Sequence, residues 1–133
     1  MPYGGKYQNS KEQVICAKIP VDGKTNTVSL MSYGFDPKLM EKTPYKGSYL
    51  SVLSSVSKLI ASGASLDSIY LSLQEYFPSV KNDSKRWGNV TSALLGAYQA
   101  QMDLKIGAIG GKDSMSGTYE NLDVPNTLVS FAV

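Results

Sequence analysis

The N-terminal part of the chain shows a pattern typical of a β-hairpin. Residues 13–19 (QVICAKI) are rich in β-branched and small apolar side chains and stop at Pro20, which suits a strand. Turn residues follow at 21–24, where Gly23 tolerates the positive φ of a tight reversal. A second apolar segment then covers 27–33. The pattern predicts that the two strands pair antiparallel.

A helix is predicted after a proline-containing linker. The stretches 34–37 and 43–47 resist regular structure, apart from a short turn at 38–41. Apolar residues then recur at three- and four-residue steps up to Gly63, which marks the end of a helix. This stripe, which we assign to the core, consists of Tyr49, Val52, Leu53, Val56, Leu59 and Ile60. The residues Ser51, Ser54, Ser55 and Lys58 lie off it.

The next two elements are a strand and a second helix. Residues 69–74 (IYLSLQ) alternate between apolar and more polar positions, which predicts a half-buried strand. Glu75, at its end, fits a surface charge and support of a neighbouring site equally well. Asp83 or Ser84 caps the second helix. Its apolar side, with Trp87 assigned to the core, carries Trp87, Val90, Leu94, Leu95, Tyr98 and Met102.

Two further strands complete the pattern. Residues 106–109 form a short buried strand that leads into a glycine-rich loop at 110–117, and residues 127–133 form an apolar strand. The order β-β-α-β-α-β-β predicts an α/β (α+β) fold in which two helices pack on a mainly antiparallel sheet. Residues 1–133 suit a single domain. Because an apolar strand stands last with no polar tail, we expect a fragment of a longer multidomain polypeptide.

Composition excludes several classes of chemistry. The 133 residues contain no His, which rules out Ser-His-Asp and Cys-His catalysis and imidazole metal ligands. The single Cys16 cannot form an internal disulfide, and its apolar neighbours predict a buried, inert thiol. This cysteine usage fits a cytoplasmic protein.

Charge and hydropathy limit the partners. Lys and Arg number 13 against 11 Asp and Glu, a net charge of +2 without a basic cluster, so we expect no nucleic-acid partner. No apolar run approaches the roughly 20 residues of a membrane helix, and no apolar signal core follows Met1, so we expect no membrane partner. Charged residues are only 18% of the chain, which leaves more surface than usual for a protein partner.

The segment 110–117 (GGKDSMSG) combines the groups that an anionic ligand needs. Glycine lets backbone amides approach, Lys112 supplies a point charge, Asp113 can hold a magnesium ion, and serine hydroxyls can bond phosphate oxygens. It is not a Walker loop, because Ile106 stands where the first glycine is required and Asp113 stands where Ser or Thr is required. On chemistry alone, a solvated loop between strands is as consistent as a binding site.

Two segments carry a family resemblance. GGKDSMSG at 110–117 and DVPNTLVSFAV at 123–133 resemble stretches of the long single-chain form of phosphoribosylformylglycinamidine synthase (formylglycinamide ribonucleotide amidotransferase). Weaker similarity extends over 31–37, 72–77 and 93–96. The chain looks like the N-terminal, aminoimidazole-ribonucleotide-synthetase-like domain of the second synthetase half.

The resemblance implies an ATP- and glutamine-dependent ligase of de novo purine biosynthesis. Such an enzyme uses ATP to activate the amide oxygen of formylglycinamide ribonucleotide, and ammonia from glutamine then displaces phosphate to give the amidine. The implied cofactors are ATP and Mg²⁺. The implied partners are the other domains of the parent, namely a sister domain paired across a pseudo-twofold axis and a glutaminase domain. The isolated chain is expected to be inactive and to form homodimers that mimic the natural pairing.

The resemblance also implies roles for the glycine-rich segment. Gly110 and Gly111 match a pair that lies against nucleotide phosphates, and Lys112 stands where its ammonium can oppose the charge of the transferring phosphoryl group. Lys112 is therefore both the catalytic candidate and a nucleotide-binding residue.

The remaining site candidates are two serines and an aspartate. Ser114 matches a serine near the ribonucleotide substrate, and we assign Ser116 to the same ligand because its hydroxyl can bond phosphate oxygens. Asp113 either binds magnesium or orients Lys112, and orientation is slightly favoured.

The chain departs from the family pattern at several positions. Ser54 stands where long-form relatives often have a carboxylate, which argues against a structural nucleotide-magnesium site. Lys46 replaces a His and Asn126 replaces a Pro. The alternative function is therefore a non-catalytic nucleotide-binding, regulatory or structural module derived from this domain.

Overall fold

A computed structural model describes residue 6 and residues 11–133 of the chain. The helices are α1 (Pro37–Lys42), α2 (Pro44–Ala61) and α3 (Ser84–Leu104), with a short 3-10 helix at Leu66–Ser68. The strands are β1 (Val14–Lys18), β2 (Val28–Gly34), β3 (Leu71–Tyr76), β4 (Ala108–Ser114), β5 (Thr118–Tyr119), β6 (Leu122–Asp123) and β7 (Thr127–Ala132).

Five of the strands form one mixed sheet in the order β1-β2-β7-β3-β4. Only β3 and β4 pair parallel, and every other neighbouring pair is antiparallel. The connection from β3 to β4 contains α3, as a parallel crossover requires. The predicted α/β fold with a mainly antiparallel sheet is therefore confirmed. The separate two-stranded sheet of β5 and β6 was not predicted from the sequence, because each strand has only two residues.

The predicted N-terminal hairpin is present. Strands β1 and β2 pair from Val14 opposite Ser32 to Lys18 opposite Val28. Gly23 adopts a φ of +99°, the left-handed conformation that the turn requires. Cys16 lies on edge strand β1 and is exposed. The prediction of a buried thiol was wrong. An apolar run suggests a strand inside a sheet, whereas β1 is an edge strand with a neighbour on one side only.

The expected linker before the first long helix is largely helical. Helix α1 begins at Pro37 after Asp36, whose carboxylate accepts a hydrogen bond of 3.0 Å from the Leu39 amide. Helix α2 begins at Pro44, five residues before the first residue of the predicted stripe. Proline suits the first position of a helix because that position needs no amide donor. The prolines therefore start helices here instead of preventing them.

Serine, rather than large apolar residues alone, forms the buried face of α2. Ser55 and Val56 are buried, whereas Ile60, which we had placed in the core, is 47% exposed. The Ser55 hydroxyl lies 2.9 Å from the Ser130 hydroxyl of β7, and Ser32 donates a 2.6 Å hydrogen bond to the Ser55 carbonyl. Small polar side chains with satisfied hydrogen bonds allow the helix to lie close to the sheet.

Helix α3 also turns its small residues inward. Its buried residues are Val90, Ala93, Gly96, Ala97 and Ala100. A Cβ atom on Gly96 would overlap the Tyr45 carbonyl oxygen, and the Ser48 hydroxyl donates a 2.6 Å hydrogen bond to the Ala93 carbonyl, so α2 and α3 are in close contact. Trp87 is 46% exposed, so its assignment to the core was wrong. The predicted cap is Asp83, which accepts hydrogen bonds from the amides of Lys85 and Arg86.

Candidate functional site

The glycine-rich segment begins as a strand. Residues Gly110 to Ser114 belong to edge strand β4, which pairs parallel with β3, so the expected loop over 110–117 is a strand for most of its length. Gly111 lies opposite Leu73, and a Cβ atom added to Gly111 would overlap the Leu73 carbonyl oxygen. Glycine at this position lets the backbones of β3 and β4 approach each other. The sequence did not predict a strand here because the segment lacks alternating apolar residues.

Lys112 is exposed at this edge of the sheet. Its ammonium nitrogen donates a 3.3 Å hydrogen bond to the backbone carbonyl of Asp113. Within residues 11–133, no ion pair joins Lys112 to the Asp113 carboxylate. The backbone of Asp113, and not its side chain, therefore holds the Lys112 ammonium, which leaves the carboxylate available for another ligand.

Glu75 is buried beside this segment. It is 5% exposed, lies directly opposite Asp113 on the neighbouring strand, and its Oε1 atom has no hydrogen-bond partner among the described residues. Burial, followed by the nearby charge of Asp113, raises the pKa of the Glu75 carboxyl from 4.5 to about 7. Sequence reasoning left Glu75 undecided, and the register between β3 and β4 is what brings it to the site.

A cavity of about 320 Å³ lies beside Glu75 and Asp113. It is lined by Leu73, Glu75, Leu94, Gly111, Lys112 and Asp113. The structure thus brings three of the predicted site residues together: Gly111, Lys112 and Asp113.

The other predicted site residues do not line this cavity. Gly110 has open space where a Cβ atom would lie, and Ser114 is half-buried at the end of β4. The Ser114 carbonyl accepts a 2.8 Å hydrogen bond from the Phe77 amide. Ser116 is exposed and lines a different cavity, together with Tyr119 and Leu122.

The cavity suits a phosphate-bearing ligand with its counterion. The Lys112 ammonium at the adjacent sheet edge would attract phosphate oxygens, and the carboxylate oxygens inside the cavity suit a hard divalent cation. Across residue 6 and residues 11–133 there is no cluster of three or more His, Cys, Asp or Glu residues able to hold a metal. A cation here would therefore need ligands from outside this part of the chain.

A second polar cluster was not predicted. Arg86 donates a 2.7 Å hydrogen bond to Asp123 and a 2.8 Å hydrogen bond to the Ser79 carbonyl. The Thr118 hydroxyl bonds Asp123 at 2.6 Å, and this bond, more than Arg86, lowers the pKa of the Asp123 carboxyl. The cluster fastens the β5–β6 hairpin to the start of α3 and leaves its charges paired.

The chain is similar to known proteins in its fold. No family model and no curated protein sequence matches the chain. Among solved structures, phosphoribosylformylglycinamidine synthase II from Thermotoga maritima matches with a TM-score of 0.75 and 19% identity over 90% of this chain. The chain has the fold of a synthase domain. PurL from T. maritima complexed with FGAR matches with a TM-score of 0.76 and 19% identity, again over 90% of this chain.

A kinase shares the same fold. Thiamine monophosphate kinase from Aquifex aeolicus matches with a TM-score of 0.57 and 17% identity, over 82% of this chain and 34% of its own. This chain spans 19% of the length of synthase II and 18% of the PurL chain in the FGAR complex. Other matching T. maritima PurL structures are complexes with ADP, AMPPCP and ATP.

No helix among the described residues is long and apolar enough to cross a bilayer.

Proposed function

We propose that the chain is part of a phosphoribosylformylglycinamidine synthase that converts formylglycinamide ribonucleotide to its amidine with ATP and glutamine. The observation that carries this proposal is the match of 90% of the chain to PurL structures, with the GGKDS segment forming one wall of a charged cavity. As the chain covers only about a fifth of those proteins, glutamine hydrolysis and most of the active site are assigned to the rest of the parent.

In this function Lys112 is the catalytic residue. Its ammonium is exposed at the edge of the sheet, where it donates to the Asp113 carbonyl, and from there it would stabilise the negative charge that grows on the transferring phosphoryl group. Gly110 and Gly111 bind nucleotide phosphates through the backbone of β4. Ser114 and Ser116, which lie further along the chain, bind the ribonucleotide substrate.

Asp113 is the proposed ligand of Mg²⁺. Its carboxylate forms no ion pair with Lys112, and in the part of the chain that the structure describes the buried Glu75 Oε1 beside it has no partner, so the oxygen-rich cavity fits a divalent cation. When bound, Mg²⁺ would neutralise phosphate charge during phosphoryl transfer. Lys112 and the glycine backbone would orient the same phosphates.

The proposed domain partner covers the sheet face opposite α2. This open sheet face consists of Ile15, Met31, Tyr33, Val129 and Phe131, which lie on one side because Ile15 pairs with Met31 and Tyr33 pairs with Phe131. Ile15 is 61% exposed and Met31 is 44% exposed. A sister domain in the parent, or a second copy of the isolated chain, would bury this apolar surface.

The test is Lys112→Ala in the full-length parent, with ATP-dependent amidine formation measured on free ammonia to bypass the glutaminase. We expect kcat to fall roughly a hundredfold or more, the scale of losing one charge-stabilising group. Lys38→Ala, which removes an exposed lysine of α1, is the matched control and should retain full turnover. Near-normal turnover of Lys112→Ala would contradict the catalytic assignment.

The second candidate is a nucleotide-binding module without catalysis. The observation in its favour is that α2 has Ser54 instead of a carboxylate. The nearby Lys58 ammonium donates a 2.6 Å hydrogen bond to the Tyr33 carbonyl. This candidate predicts ATP binding by the parent with unchanged amidine formation in Lys112→Ala, so the same experiment separates the two.

A further inference from the structure

One oxygen of the buried Glu75 side chain, Oε1, has no hydrogen-bond partner among the described residues. The neighbours of Glu75 on the helix side of the sheet are apolar: Leu73 lies two residues before it and Leu128 is its partner on β7. The charge of Asp113, its partner on β4, has the same sign. A buried carboxylate ordinarily has a donor or a cation beside it, because burial without one is costly. The described part of the chain supplies neither to Oε1.

Lys112 does not fill this role. Its ammonium donates to the Asp113 carbonyl, and residue alternation places Lys112 on the other face of the sheet from Glu75 and Asp113. A water molecule could hydrogen-bond Oε1, but it would not offset two neighbouring negative charges. The missing partner is therefore expected to be cationic.

The register of the strands brings the two carboxylates to one cation. Glu75 and Asp113 are direct partners on parallel strands, about 4.8 Å apart, and both line the 320 Å³ cavity. Two oxygens bound to one Mg²⁺ lie ~3–4 Å apart, since each Mg–O distance is about 2.1 Å. The extra methylene of the glutamate lets its carboxylate converge with that of Asp113.

We propose that Glu75 and Asp113 together bind one divalent cation, which enters the cavity as a complex with nucleotide phosphates. This inference rests on the proposed nucleotide-binding function and adds Glu75 as a ligand. Mg²⁺ commonly takes one or two carboxylates and fills its remaining positions with water and phosphate oxygens, which matches a site with two protein carboxylates. Lys112, whose side chain lies on the other face of the sheet, is not a ligand of this cation.

The experiment measures Mn²⁺ binding to the full chain by electron paramagnetic resonance, with and without ADP and with Mg²⁺ as competitor. We expect saturable binding that Mg²⁺ displaces and that ADP strengthens. Glu75→Gln and Asp113→Asn should each weaken Mn²⁺ binding at least tenfold. Glu41→Gln, which neutralises an exposed carboxylate of α1, is the matched control and should bind Mn²⁺ like the unmodified chain.

The possible outcomes are distinct. Unchanged Mn²⁺ affinity in Glu75→Gln, or absence of saturable Mn²⁺ binding, overturns the inference. Glu75 and Asp113 would then be a carboxyl pair that shares a proton. Asp113→Asn alters an exposed residue, so it tests the site even where Glu75→Gln fails to fold. ADP binding is measured separately by equilibrium dialysis in the presence of Mg²⁺. Absence of ADP binding, alongside Glu75-dependent Mn²⁺ binding, would contradict the nucleotide function and leave the metal site standing.

Discussion

At the scale of single residues, Glu75 shows why a side chain's role depends on its neighbours across the sheet. The sequence places it at a strand end, where a surface charge is as reasonable as support of a neighbouring site. Its partner Asp113 lies 38 positions later, beyond α3, and only the parallel register of β3 and β4 joins them. By contrast, Lys112 and Asp113 were identifiable from sequence because they are adjacent in one segment.

The raised pKa of Glu75 predicts a pH-dependent stability. A carboxyl with a pKa of about 7 in the folded chain and 4.5 when unfolded binds its proton more tightly in the folded state. Its contribution is therefore fully present below pH 4.5 and is lost as the pH rises through about 7. In metal-free buffer, the free energy of unfolding should fall over this range by on the order of 2 kcal/mol more than in Glu75→Gln.

Urea denaturation at pH 5, 6, 7 and 8 checks this prediction. Glu41→Gln should follow the pH dependence of the unmodified chain, since Glu41 is exposed. Parallel pH profiles for Glu75→Gln and the unmodified chain would mean that the carboxyl titrates normally.

At the scale of elements, strand positions were more predictable than helix faces. Runs of apolar residues identified β1, β2 and β7, and alternation of apolar and polar side chains identified β3, because successive side chains on a strand point to opposite faces. On α2 and α3 the same reasoning selected the large apolar residues, whereas the contact between the helices is made by Gly96, Ala93 and Ser48. Close helix packing favours small residues, and hydrophobicity alone does not reveal which face packs closely.

Two glycines of α3 should therefore respond in opposite directions to alanine. Gly96→Ala should lower the free energy of unfolding by about 1–3 kcal/mol, because the added methyl group would overlap the Tyr45 carbonyl. Gly88→Ala, on the same helix with nothing within 4 Å, should raise it by about 0.5–1 kcal/mol through helix propensity. Thermal or urea unfolding of both variants measures this, and equal effects would show that α2 and α3 are not in close contact.

At the scale of the whole molecule, helices among residues 11–133 cover one face of the sheet and leave the other open. Helix α2 packs on β2 and β7, while Ile15, Met31 and Tyr33 on the open sheet face remain exposed. The family resemblance led us to expect a partner, and hydrophobic patterning alone could not identify this face because both faces of the central strands carry apolar residues.

The exposed face predicts reversible self-association of the isolated chain. Ile15→Lys should weaken association at least tenfold in sedimentation velocity, because it places a charge within the apolar patch. Leu122→Lys, which alters a residue that is 73% exposed on β6 and away from the open sheet face, is the control and should associate like the unmodified chain. A chain that remains monomeric at high concentration would contradict pairing through this face.

The central position of β7 has a consequence for the order of folding. Residues 127–132 lie between β2 and β3, so the N-terminal hairpin has no sheet neighbour until β7 has been synthesised. The sheet is completed by contacts between residues distant in sequence. Long loops must therefore close, at a cost in chain entropy, before strand pairing stabilises the fold, and this cost slows folding. During translation, β2 and β3 therefore leave the ribosome with unpaired edges, and a ribosome stalled before residue 127 would carry a chain that chaperones can recognise.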